Sequence, residues 1–132
     1  MNTLRAVIAD DHDLVRSMVA NVLRSFGVEV VGEVTNGADA IECTKYYNPD
    51  LVIMDGNMPG TNGYEATRAI KASMPDVRVA IVSVSAGSMY EQQARLVAAD
   101  AFITKSSLRD SLRDLVGSLI AAPVKHTVGA AA

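Results

Sequence analysis

The chain has 132 residues, 12 lysines and arginines against 15 aspartates and glutamates, a formal net charge of −3 and an apolar fraction of 49%. That length holds one domain and a short appendage, the apolar content excludes an extended disordered chain, and the absence of a basic stripe argues against nucleic-acid binding by this chain. Cys43 is the single cysteine, which excludes an internal disulfide and a cysteine-rich zinc site. No apolar run approaches the ~20 residues needed to cross a bilayer. The segment Met1–Arg5 lacks the apolar stretch of a signal peptide. The expectation is a soluble, cytoplasmic protein without membrane contact.

In chain order, the first apolar run is Leu4–Ala9, and Asp10 and Asp11 follow it. Leu14, Val15, Met18, Val19, Val22, Leu23 and Phe26 then recur at helical spacing as one core-facing stripe, stopped by Gly27. Val28–Val34 is a second strand-like run. A helix from about Ala38 to Tyr47 ends before Pro49, with Tyr46 and Tyr47 expected to cover the sheet edge. Leu51–Met54 is a third run, ending at Asp55. A helix from about Tyr64 to Ser73 ends before Pro75. Val77–Ser83 is the fourth run, with a weaker helix at Met89–Ala98 behind it. Ala101–Thr104 is the fifth, followed by Lys105. The last helix places Leu108, Leu112, Leu115, Val116 and Leu119 at core spacing. Met18, Met54 and Met74 read as core fillers.

The apolar runs are short, rich in Val and Ile, and bounded by turn residues, as buried parallel strands are. Five βα units in succession predict an α/β fold, a mostly parallel sheet with helices on both faces. Ligands of such sheets sit at the carboxyl ends of the strands, where strand order switches. Residues 1–122 are expected to form the domain and 123–132 a flexible tail or the start of a linker.

If the first and third strands are neighbours, Asp10, Asp11 and Asp55 point into one pocket. Clustered carboxylates repel, and a hard divalent cation with oxygen ligands relieves the repulsion, magnesium being suited to a few carboxylates plus water and phosphate oxygens. An acidic pair after a strand also serves as a helix cap; Asp55 tips the balance to a metal site. Lys105 overhangs the same rim and suits the charge of a transferred phosphoryl group. Ser83 ends the fourth strand and offers a hydroxyl. The run Asp55–Gly60 begins like a calcium-binding loop, but Pro59 stands at its fifth place and Ala66 at its twelfth, so that match fails. His12 reads as a solvated histidine of the first helical turn rather than a ligand, and Cys43 as helix surface or partial core.

The pair Asp10–Asp11, the run Asp55–Gly56–Asn57–Met58–Pro59–Gly60 with Gly63, then Ser83 and Lys105, occur in order at the expected strand ends. Across roughly Leu4 to Ile120 the sequence resembles the receiver domains of two-component response regulators. Around Ile81–Val82–Ser83–Val84–Ser85 and Val30–Val31–Gly32–Glu33–Val34 it looks like the NarL/FixJ type. The resemblance implies a doubly wound, five-stranded parallel (βα)5 sheet of the flavodoxin-like, CheY-like kind. It implies Asp55 as phosphoacceptor, and magnesium held by Asp10, Asp11, Asp55 and the backbone carbonyl of Asn57. It further implies Lys105 and Ser83 as phosphoryl partners and Phe102 as a switch aromatic that turns inward as Ser83 moves. A sensor histidine kinase is the implied phosphodonor. The face of the fourth helix, fifth strand and last helix is the implied site of a homodimer or output contact.

The chain departs from that pattern in places. Ser106 follows Lys105 where the family often has a cis proline, Val84 follows Ser83 where Ala or Gly is common, Ala98 and Ala101 replace frequent glycines, and Phe102 lacks the hydroxyl of the commoner tyrosine. Two other readings compete. An aspartyl-nucleophile phosphohydrolase expects a second Asp at the place of Asn57 and a cap that the chain has no room for. A pseudo-receiver would keep the fold as an interaction module without phosphorylation.

Overall fold

Each of the five apolar runs becomes a strand, and each helical pattern a helix. The computed structural model describes residues 3–84 and 87–121. The expected tail at 123–132 and Ser85 lie outside the described residues. The elements are β1 (Arg5–Ala9), α1 (Asp13–Ser25), β2 (Glu29–Val34), α2 (Gly37–Tyr47), β3 (Leu51–Asp55), α3 (Gly63–Ser73), β4 (Arg78–Ser83), α4 (Ser88–Leu96), β5 (Ala101–Thr104) and α5 (Leu108–Ala121), with a single 3-10 turn at Lys105–Ser107. The strands form one parallel sheet in the order β2-β1-β3-β4-β5. Strand order therefore reverses between β1 and β3, and the crevice expected above such a switch opens over those two carboxyl ends.

The alternation of side chains along a strand sorts the core into two layers. Ala6, Ile8, Leu51, Ile53, Ala80, Val82 and Ile103 face one way, against Val19, Leu23, Leu112 and Val116 of α1 and α5. Val7, Ala9, Val52, Met54, Val79 and Ile81 face the other way, against Ala40, Ala66, Ile70 and Ala94 of α2, α3 and α4. Burial of one such Leu or Ile contributes about 1.5–3 kcal/mol. Every residue of β3 is buried, whereas β2 and β5, at the sheet edges, are only partly covered.

The helix ends follow local chemistry. Asn36 caps α2 by accepting from Asp39 N–H, and Asn48 closes it in the left-handed conformation at φ 46°, one residue before the proline. Asn62 and Glu65 form a reciprocal capping box on α3. Gly63 is required there. A Cβ at that position would stand 2.0 Å from the carbonyl oxygen of Asp55, so only glycine lets α3 begin against the end of β3.

Some sequence expectations do not hold. Leu14 and Met18 are 87% and 45% exposed, so the stripe expected on α1 is too wide and Met18 is not a core filler. The row that meets the sheet is Val15, Val19, Val22–Leu23 and Phe26, while Leu14 and Met18 lie four apart on a flank beyond it. Tyr46 is exposed, its ring edge-on to Tyr47 at 4.8 Å; Tyr47, with Cys43, borders Gly32 on the edge strand. Ala98, which stands where the family often has glycine, adopts φ 65°, a conformation that disfavours any side chain. None of the described peptide bonds is cis, so Lys105–Ser106 is trans.

Candidate functional site

Register explains which charged side chains meet. Ala9 of β1 pairs with Met54 of β3, so Asp10 and Asp55 stand level at the sheet rim, each continuing a row that points toward α1 and α5. Lys105 follows the Ala101–Ile103 row of β5 in the same sense. Asp10 N–H still donates to Val34 O at 3.0 Å, prolonging the β1–β2 ladder by one bond.

The side chains converge as that geometry requires. Lys105 Nζ lies 3.6 Å from Asp10 Oδ2 and 3.7 Å from Asp55 Oδ1. Carboxylate oxygens of Asp10, Asp11 and Asp55, with a ring nitrogen of His12, lie within 4.8 Å of one another. Asp10 Oδ1 accepts from His12 N–H at 2.8 Å, and Asp55 Oδ1 from Asn57 N–H at 3.3 Å. Asp55 Oδ2 is buried and has no hydrogen-bond partner among the described residues. Ser83 reaches the site from the neighbouring row of β4: it lines, with His12, Asp55, Asn57, Tyr64 and Lys105, a cavity of about 380 Å³. Val84 also borders that cavity, but its side chain is largely exposed.

One lysine cannot balance three acids. Burial pushes the Asp55 carboxyl up to about 6, the charge of Asp10 adds to the effect and Asp11 adds a little more, while Lys105 and the Asn57 N–H oppose it. A divalent cation fits this donor set. The ligand atoms available are hard carboxylate oxygens, they are close enough to share one ion, and Asp55 holds a buried oxygen with no partner among the described residues. His12 is 63% exposed at the N-cap of α1, as expected of a solvated histidine, yet its Nδ1 lies 3.3 Å from Asp10 and 3.2 Å from Asp11.

Phe102 is half-buried, packs on the α2–α4 side of the sheet and pairs in register with Ile81. It is not part of the cavity wall, so the site as it stands groups Asp10, Asp11, Asp55, Asn57, Ser83 and Lys105 but leaves Phe102 one row away.

Sequence reasoning missed several supporting residues. Arg16 donates from Nη1 to the carbonyl of Asp10 at 2.9 Å and from Nη2 to Asp13 at 2.7 Å, while Nε faces Glu33 at 3.5 Å. It thereby ties the loop after β1 to α1 and β2. Its only sequence signal was an arginine six residues past the first acid. Thr104, Ser107 and Ser111 form a chain of hydroxyl contacts at 3.0 and 3.2 Å that holds the turn carrying Lys105. Tyr64, at the start of α3, was read only as helix.

The family and the fold have known relatives. Residues 6–117 match the family described as the response regulator receiver domain. Among curated relatives, the response regulator GacA of Pseudomonas aeruginosa is 34% identical over 105 residues, 79% of this chain and 49% of that protein. The transcriptional regulatory protein DegU of Brevibacillus brevis is 36% identical over 116 residues, 87% of this chain and 49% of that protein. The chain thus spans about half the length of the curated relatives it matches. Among solved structures, the signal receiver domain of the putative response regulator NarL from Mycobacterium tuberculosis superposes with a TM-score of 0.85 at 31% identity, covering 93% of this chain and all of that one. With residues 6–117 matching its family model and the fold shared with a solved receiver domain, this chain belongs to the response-regulator receiver domain family.

Proposed function

We propose that Asp55 accepts a phosphoryl group from the phosphohistidine of a sensor histidine kinase in a magnesium-dependent reaction, and that the modified domain switches a partner or output surface. The buried Asp55 Oδ2, without a partner among the described residues and beside two further acids and a lysine, carries this reading. Bound magnesium would be held by Asp10, Asp11, Asp55 and the carbonyl of Asn57, and would supply charge neutralisation to the phosphoryl oxygens.

The chain's own residues do the rest. An Asp55 oxygen attacks phosphorus in line, the bond from phosphorus to the imidazole nitrogen breaks, and the imidazole leaves with that electron pair. Asp55 must be ionised to attack; with its carboxyl at about 6 it is mostly so near neutrality. Lys105 pairs with one phosphoryl oxygen, and Ser83 donates to another. The product carries about −1.5 to −2 of charge and three phosphoryl oxygens where the carboxylate carried −1, a local change able to bias the loop after β4 and Phe102 behind it. A homodimer or an output domain on the α4–β5–α5 face is the receiver of that change, and an ATP-driven kinase puts the exchange in the cytoplasm. Residues 1–122 constitute the receiver in this reading and 123–132 lead away from it.

The test is labelling by acetyl phosphate or phosphoramidate with magnesium, read by mass spectrometry. One phosphoryl group on the wild type and none on Asp55→Asn is the expected result. Equal labelling of both defeats the assignment, and no labelling of either leaves an interaction module in its place.

A further inference from the structure

Tyr64 is the second residue of α3, and its ring lies over Gly56, the residue directly after Asp55. A Cβ at position 56 would meet Cε2 of Tyr64 at 3.0 Å and its hydroxyl oxygen at 3.3 Å, so the bare backbone of Gly56 makes the seat the ring occupies. The phenol oxygen is buried there and has no hydrogen-bond partner among the described residues. Folded proteins hold few such groups, because a hydroxyl stripped of water and left unbonded is costly. A phenylalanine would fill the same seat without that cost. Tyr64 nonetheless borders the cavity that also contains Asp55, Ser83 and Lys105.

Its electrostatic setting keeps it a donor. Burial, then Tyr90, then Asp55 push the phenol up from its ordinary range, so the hydroxyl keeps its proton at all physiological pH. A protonated donor with no partner among the described residues, seated on the residue next to an acceptor carboxylate, is suited to a ligand that arrives with oxygens of its own. A tetrahedral phosphoryl group on Asp55 brings three. Lys105, Ser83 and the acidic cluster's cation account for some of its partners, and the Tyr64 hydroxyl, on a residue that already lines the cavity, offers a further donor.

We propose that the Tyr64 hydroxyl is an oxyanion-binding group of this site, taking its hydrogen-bond partner only when a phosphoryl group occupies Asp55. The proposal rests on Asp55 as phosphoacceptor and adds a residue to that site. The interaction is absent in the unmodified domain and present in the modified one, so all of it goes into stabilising the modified state.

Beryllofluoride with magnesium serves as the probe, a tetrahedral stand-in for the phosphoryl group, titrated calorimetrically into wild type and Tyr64→Phe. The variant is expected to bind beryllofluoride about tenfold more weakly, the scale of a hydrogen bond to a charged acceptor. Its affinity for magnesium alone is expected to match the wild type, and its urea midpoint without ligands to be equal or higher. Equal beryllofluoride affinities overturn the proposal. So does a lower midpoint, or failure of the variant to fold, since either shows that the hydroxyl is already bonded in the unmodified domain. A parallel loss of magnesium affinity overturns it too, by showing a general distortion of the rim. Wild type that binds no beryllofluoride removes the phosphoacceptor reading itself, and the role of Tyr64 with it.

Discussion

Replacing Asp55 with asparagine should stabilise the domain in the absence of metal, although Asp55 sits in the centre of the site. The carboxyl is 4% exposed and pushed from 3.8 up to about 6, chiefly by burial and by Asp10. A carboxyl raised in the folded state holds its proton there after the unfolded chain has lost it. Folding is therefore unaffected below about pH 4, loses stability as pH rises from about 4 to about 6, and carries the whole penalty above that. A shift of that size corresponds to about 3 kcal/mol at neutral pH. Asparagine has the same shape, no charge to desolvate, and an amide that can donate toward Asp10. Urea unfolding of wild type and Asp55→Asn in chelator should give a gap of roughly 2–3 kcal/mol in favour of the variant near pH 7, shrinking to near zero around pH 4. Saturating magnesium should narrow the neutral-pH gap by stabilising the wild type more. A variant less stable than wild type near pH 7, or a gap that does not change with pH, refutes the electrostatic argument.

Three further substitutions probe the rim and its supports. Lys105→Met leaves Asp10 and Asp55 without their shared cation, and should cost on the order of 2 kcal/mol in metal-free stability at neutral pH, with labelling by acetyl phosphate slowed sharply. Arg16→Gln frees the Asp10 carbonyl and should lower magnesium affinity about tenfold, measured by calorimetry, as loss of a residue that orients a metal ligand does. Ala98→Gly relieves the positive φ and should raise unfolding stability by about 1 kcal/mol without altering magnesium affinity.

The parts of the molecule set by local pattern were legible in the sequence. Strand runs, helix stops and the parallel topology follow from periodicity, from Gly27, and from the prolines after helix ends. The acidic rim was legible because strand parity carries Asp10, Asp55 and Lys105 to one edge once β1 and β3 are neighbours. Features that depend on how one element rests on another were not. Leu14 and Met18 satisfy helical spacing, but the width of sheet under α1 decides which part of the stripe is covered. The backbone of Ala98 is imposed by the return into β5 and leaves no mark in composition. Arg16 and Tyr64 act through a carbonyl and an empty Cβ position, neither of which a residue type reveals.

The central claim is that the ends of β1, β3 and β5 build one cation and phosphoryl site. A crystal structure of the domain grown with manganese in place of magnesium tests it through the metal's anomalous signal. The account predicts a single ion bonded to carboxylate oxygens of Asp11 and Asp55 at about 2.0–2.2 Å, with Lys105 still beside Asp55. Metal bound elsewhere, or coordinated without Asp55, would contradict it.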